Sequence, residues 1–197
     1  MTTTIDTIGT HLDGCGFKHK LISSTRLTLM FHTDHYRNRD DDASLGLVVE
    51  VANDGRFVLI VAPRAFQIEG EHRAAAIETC LRFQWTYRLV RLEFDHRDGE
   101  LRLSVNLPVF DGDLTRAQLG AAIGMMVELC DELYPALTAV LRTGEMPVFG
   151  GGAQGGRVAA VAERLATLTP EQLDLLLAAV TDSEPNDEPH APAGSVA

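Results

Sequence analysis

The chain has 197 residues, of which 45% are hydrophobic, and its 17 basic and 28 acidic side chains leave a formal charge of −11. That length suits one domain with an appendage and should bury roughly 70% of the unfolded surface, so no disulfide staple or structural metal is needed. Direct binding to a phosphate backbone is disfavoured, because an acidic surface repels it.

Ile5, Ile8 and Leu12 recur at i, i+3 and i+7, which predicts a short helix over residues 3–14, stopped by Gly14 and Gly16. No basic region followed by an apolar run opens the chain, and nowhere do about 18 apolar residues run together, so the expectation is a cytoplasmic protein with no membrane contact. Residues 17–21 read as a first strand, and Leu27, Leu29 and Phe31 alternate in a second. Residues 45–52 and 56–62 form a hairpin around Asn53-Asp54-Gly55, residues that tolerate the positive φ such turns demand. Pro63 is expected to close that pair.

From residue 71 to about 84 the pattern becomes helical. Ala74, Ile77, Cys80 and Leu81 share one stripe, and Glu69 and Glu71 sit where negative charge complements the helix dipole. Val90, Leu92 and Phe94 then alternate with polar residues, Asp98-Gly99 turns the chain, and Leu101, Leu103, Val105 and Leu107 alternate again up to Pro108. Thr115 and Gln118 stand at capping-box spacing before a long helix whose stripe is Leu119, Ala122, Ile123, Met126, Val127, Cys130 and Leu133. Pro135 is expected to kink that helix or make it restart, folding Leu137, Val140 and Leu141 over the sheet edge.

Residues 150–156 are a glycine-rich linker. After it, residues 157–181 predict an amphipathic helical hairpin, in which Thr169-Pro170-Glu171-Gln172 is a capping box and Leu173, Leu176, Leu177 and Val180 form a stripe. Helices of about a dozen residues need a surface to bury against, so the stripe is a candidate docking arm for a partner, the other subunit or its own domain. The acidic, proline-rich residues 182–197 read as disorder. The fold class is therefore α+β: an antiparallel sheet covered by helices in the order α-β-β-β-β-α-β-β-α over residues 1–149, plus the C-terminal hairpin.

The run Leu107-Pro108-Val109, then Asp111-Gly112, Leu114-Thr115, a long helix and Leu133-Tyr134-Pro135-Ala136-Leu137 resembles the YbjN-like family, a group of bacterial regulators whose fold resembles type III secretion chaperones. The likeness covers roughly residues 3 to 146. It implies a domain, usually a homodimer, that binds another protein and performs no chemistry, with no catalytic residues and no cofactor to carry over.

Other chemistry is thinly supported. His32, Asp34 and His35 with Asp40, Asp41 and Asp42 offer donors for a divalent ion, yet Arg37 and Arg39 interrupt them, so a solvated loop is the preferred reading over a metal-dependent enzyme. Cys15, Cys80 and Cys130 have no metal spacing, and the last two fall on apolar helix faces as buried free thiols. Cys15 could act as a nucleophile only if His11 or His19 were brought beside it. Phe83, Trp85 and Tyr87 fit either the core or a contact surface. The candidate contacts are Ile77, Leu81 and Trp85, with Leu173, Leu176, Leu177 and Val180 in the tail. Taken with the family resemblance, which implies a non-enzymatic homodimer, they suggest a module acting on a client or regulatory protein. A rival reading is an adaptor for a DNA-binding or repair protein, whose basic face would meet the acidic surface.

Overall fold

The computed structural model describes residues 3–110 and 112–147. Thr4 starts helix α1 (Ile5–Gly14), its hydroxyl accepting the Thr7 N–H at 3.2 Å, and the helix buries Ile5, Ile8 and Leu12. Four strands follow as a meander: β1 (His19–Ser23), β2 (Arg26–His32), β3 (Ser44–Ala52) and β4 (Phe57–Gln67). Helix α2 (Arg73–Thr86) leads to the hairpin of β5 (Arg91–Phe94) and β6 (Glu100–Pro108), and α3 (Arg116–Thr143) completes the described order. All neighbouring strands are antiparallel in one six-stranded sheet of order β1-β2-β3-β4-β6-β5. The α+β class and the order α-β-β-β-β-α-β-β-α thus match the sequence pattern. The linker, the helical hairpin and the acidic tail lie outside the described residues.

One face of the sheet is the core. Along β3, Leu45, Leu47, Val49 and Val51 are buried and alternate with half-buried neighbours, and the register places Leu27, Val49, Ile60 and Val105 in one row across four strands. The other side of that row meets α3, which buries nine residues from Leu119 to Val140 and touches α1, α2, β4 and β6. The expected capping box starts α3: the Thr115 hydroxyl accepts the Gln118 N–H, and the Gln118 side chain accepts the Thr115 N–H. At the other end Gly144 adopts φ +74°, and a Cβ there would come within 2.6 Å of His72 Nδ1, so glycine lets the end of α3 close against the start of α2.

Several local expectations give way to packing. β1 begins at His19, not at residue 17, because the Phe17 N–H is already donated to Leu12 O at the end of α1. Pro63 does not end β4. Pairing with β3 stops at Val61, but β4 continues along β6 after an irregularity between Ala62 and Phe66, where Arg64 takes φ +51° and Pro63 needs no donor. Pro135 neither stops nor restarts α3, which runs on to Thr143. An interior proline costs about 3 kcal/mol, whereas burying Leu137 and Val140 returns roughly 1.5–3 kcal/mol apiece. Helix α2 starts at Arg73, two residues late, with no acidic residue in its first turn, so Glu69 and Glu71 do not cap its dipole.

A single carboxylate fastens the β2–β3 loop to α3. Asp131 Oδ1 accepts the N–H groups of His35 and Tyr36, both at 2.7 Å, and its Oδ2 accepts that of Asp34 at 3.2 Å. Burial by itself would raise the Asp131 pKa, but these three donors and the His35 ring outweigh it and hold the carboxyl below its ordinary value. Tyr36, thus placed, donates its hydroxyl to Ala65 O at 2.8 Å and stacks edge-on with Phe66 and Tyr134.

Asp131→Asn turns one acceptor oxygen into a donor facing backbone donors, and we expect it to lower unfolding free energy by about 1–3 kcal/mol at neutral pH. Because the folded pKa is depressed, this contribution is complete above the ordinary aspartate value of about 4 and is lost as pH falls through the lower folded value. Denaturant titrations of both proteins from neutral to acidic pH should therefore converge at the acidic end; a constant gap would show that the charge is not responsible.

Candidate functional site

Helix α2 is attached to the domain by a narrow face. Ala76, Thr79 and Cys80 are buried, Phe83 is half-buried, and the Thr79 hydroxyl is satisfied by Ala75 O at 2.9 Å, which lets a polar residue face α3. The stripe Ala74, Ile77, Cys80 and Leu81 expected from the sequence is therefore only half right: Cys80 points inward, Ile77 sits at the boundary, and Ala74 and Leu81 face solvent. Small residues at the contact let the helices approach closely and leave the larger apolar side chains on the outside.

That outer stripe brings together three of the expected contact residues. Ile77, Leu81 and Trp85 follow one another at four-residue spacing along α2, with Leu81 65% and Trp85 78% exposed. The Arg88 guanidinium lies 5.6 Å from the Trp85 ring centre, and exposed Leu89 follows it. Of the aromatic trio, Tyr87 is buried, Phe83 is half-buried and Trp85 stands free of the core.

Beside the stripe an apolar cleft of about 70 Å³ opens between α2 and β5, lined by Ile77, Cys80, Leu81, Leu92 and Phe94. Its geometry depends on Gln84. The Gln84 amide donates to Val90 O at 2.6 Å and to Tyr87 O at 3.1 Å, and its oxygen accepts the Leu92 N–H at 2.8 Å. Gln84 thereby covers part of the outer edge of β5, which pairs only with β6 in the sheet, and blunts it against strand addition. Burial pushes the Cys80 thiol up to about 12, so it serves as an apolar wall rather than a nucleophile.

The other sequence candidates separate. The N–H groups of Asp34 and His35 are turned onto Asp131, while Asp40 and Asp42 donate theirs to Asn38 Oδ1 in a tight turn. No group of three or more histidine, cysteine or carboxylate side chains is placed to hold a metal among the described residues. His11 Nε2 is bonded to Leu114 O at 2.8 Å and His19 Nδ1 to Phe17 O at 3.2 Å, while Cys15 Sγ meets Arg116 O, so no thiol–imidazole pair forms. Leu173, Leu176, Leu177 and Val180 lie outside the described residues. No helix among the described residues is long and apolar enough to cross a membrane. Sequence reasoning missed Gln84 and Leu89, as well as a second exposed apolar group, Leu21, Ile22 and Met30, on β1 and β2 at the opposite end of the sheet. Period-2 alternation marks such residues as strand but does not tell which strand lies at an edge.

Comparison with known proteins adds the following. The family model for YbjN, described as "Putative bacterial sensory transduction regulator", matches residues 32–139. The crystal structure of YbjN from E. coli is similar over 71% of this chain and 94% of its own, with 15% identity and a TM-score of 0.52, a likeness of fold. Lower in similarity is a chain of the heterodimeric ExoU–SpcU complex from the type III secretion system of Pseudomonas aeruginosa, with 19% identity, 65% and 95% coverage and a TM-score of 0.46. An uncharacterized protein from Methanothermobacter thermautotrophicus follows, with 18% identity, 69% and 97% coverage and a TM-score of 0.39. No curated protein matches the sequence.

Because Leu81 and Trp85 contribute little to the core, Leu81→Asp and Trp85→Ala should each change unfolding free energy by no more than about 0.5 kcal/mol, as surface substitutions do. Cys80→Asp, one residue away on the buried face, should cost several times more. Chemical denaturation of the three variants at low protein concentration checks the contrast, and equal losses would place Leu81 and Trp85 in the core after all.

Proposed function

The chain belongs to the YbjN family, and from that premise we propose that it is a non-enzymatic protein-binding module, acting as a homodimer on a client or regulatory partner in the cytoplasm. The observation that carries the reading is the apolar outer stripe of α2. Leu81 and Trp85 are left out of the core, with Ile77 at its edge, by a helix that is buried through smaller residues. Large apolar side chains presented together on one helix face, with an aromatic among them, are the composition of an interface centre.

Magnitude sets the extent of that interface. A stable contact buries about 800 Å² on each partner, and a tryptophan supplies about 250 Å² at most. The stripe must therefore be the centre of a larger patch, which Leu89 and the half-buried Leu92 and Phe94 of β5 extend. With the β5 edge blunted by Gln84, we infer contact through the helix face and not by strand pairing. The proposal includes the C-terminal stripe of Leu173, Leu176, Leu177 and Val180 as a partner-docking arm, on the strength of its sequence pattern.

The charge of −11 favours a second reading, in which the partner is a basic protein such as one that handles DNA, held by the acidic surface without contact to nucleic acid. Binding of that kind weakens as salt rises, whereas burial of the α2 stripe does not.

Light scattering on the wild type should give the mass of a dimer. Trp85→Ala and Leu81→Asp should each weaken self-association by at least tenfold while leaving the fold intact. If both variants fold and keep the oligomeric state and partners of the wild type, the α2 assignment is wrong.

A further inference from the structure

A second cavity, larger than the cleft beside α2, lies next to the β2–β3 loop. It forms where the β2–β3 loop, the irregular part of β4 and the second half of α3 converge. Its floor is apolar, made of Phe66, Tyr134, Leu137 and Leu141. Two features of the backbone shape it: the break after Ala62 buries both Ala65 and Phe66 in succession, against the strand alternation, and Tyr36 pins Ala65 O from below.

The rim has the opposite character to the rest of the molecule. In a chain of formal charge −11, Arg37 and Arg39 border the cavity and no carboxylate lines it. Neither guanidinium is ion-paired among the described residues. Arg37 gives one N–H to Tyr36 O and Arg39 one to Gln67 Oε1. Each guanidinium has five N–H groups in a planar fork, so most of their donors remain for an anion. Asp40, Asp41 and Asp42 follow on the same loop, but the Asn38 turn draws that segment into its own hydrogen bonds, away from the cavity lining.

Size decides what class of ligand fits. The cavity is about 150 Å³, while pockets for cofactors and drug-sized molecules begin near 300 Å³. It has room for one apolar side chain, not for a nucleotide or a prosthetic group. An apolar anchor with a carboxylate a few ångströms away is what a peptide offers when a hydrophobic residue stands next to an aspartate or glutamate. We propose that this cavity is a recognition site for an acidic segment of a partner protein, which inserts one apolar side chain between Phe66, Tyr134 and Leu141 and sets its neighbouring carboxylate on Arg37 and Arg39. The site lies apart from the α2 stripe and does not depend on the proposal made for that helix.

The test pans a phage library of random dodecamer peptides against the full-length protein, followed by fluorescence anisotropy of the enriched peptides on variants. The expected motif is an acidic residue next to a large apolar one. Such peptides should bind at least tenfold more weakly to an Arg37→Gln, Arg39→Gln double variant and to Thr138→Trp, which fills the cavity, with unchanged melting temperatures confirming the folds. Trp85→Ala should bind them as the wild type does. The proposal is overturned if nothing is enriched, if the enriched peptides have no acidic bias, or if they bind the arginine variant as tightly as the wild type. Loss of binding on Trp85→Ala alone would also overturn it and would assign the peptides to the α2 face.

Discussion

The domain is organised by the burial of one long apolar stripe on α3. Nine of its residues between Leu119 and Val140 are buried, and the helix is the element that meets α1, α2 and the strands β4 and β6 together. With roughly 1.5–3 kcal/mol for each large side chain removed from water, the stripe outweighs every local preference it crosses. It carries the helix through Pro135 without interruption. It also fixes where the loops can be tied down, because Asp131 is offered from the same helix to the backbone of residues 34–36.

Given that arrangement, α2 has little of the core left to share. It packs on α3 through Ala76, Thr79 and Cys80, and its bulkier apolar residues are turned outward. The two ends of the domain acquire different chemistry as a result. At the β5 end there is a broad apolar helix face beside a shallow cleft, suited to another folded surface. On the side of the β2–β3 loop there is a small apolar cavity with a cationic rim, suited to a single side chain and its acidic neighbour. On the proposed reading, burial drives the first contact and charge selects for the second.

Much of the fold was legible because its signals are local. Alternation in Leu45, Leu47, Val49 and Val51 marks a half-buried strand, Asn53-Asp54-Gly55 supplies the three successive positive φ angles its turn uses, and Thr115 with Gln118 spells out a cap. The misreadings share one cause: rules of thumb about single residues were outvoted by packing. Pro63 does close the β3–β4 pairing, which ends at Val61, but β4 itself runs on along β6, and α3 does not restart at Pro135. On α2, hydropathy put Ala74, Ile77, Cys80 and Leu81 on one stripe and passed over Thr79, whereas Ala74 and Leu81 are exposed and Thr79 is buried with its hydroxyl satisfied by the preceding turn. The tie between Asp131 and residues 34–36 spans more than ninety positions, and no local pattern announces it. The role of Trp85 was left open between core and contact by sequence, and only the placement of α2 separates the two.

Trp85 is the single tryptophan of the chain, so its emission reports on the α2 face alone. The most direct measurement is the emission spectrum of the wild-type protein followed from nanomolar to high micromolar concentration. Burial of this face between two copies predicts the spectrum of a solvent-exposed indole at the dilute end and a saturable shift to shorter wavelength as the dimer forms. An emission that stays that of an exposed indole at every concentration would contradict the account.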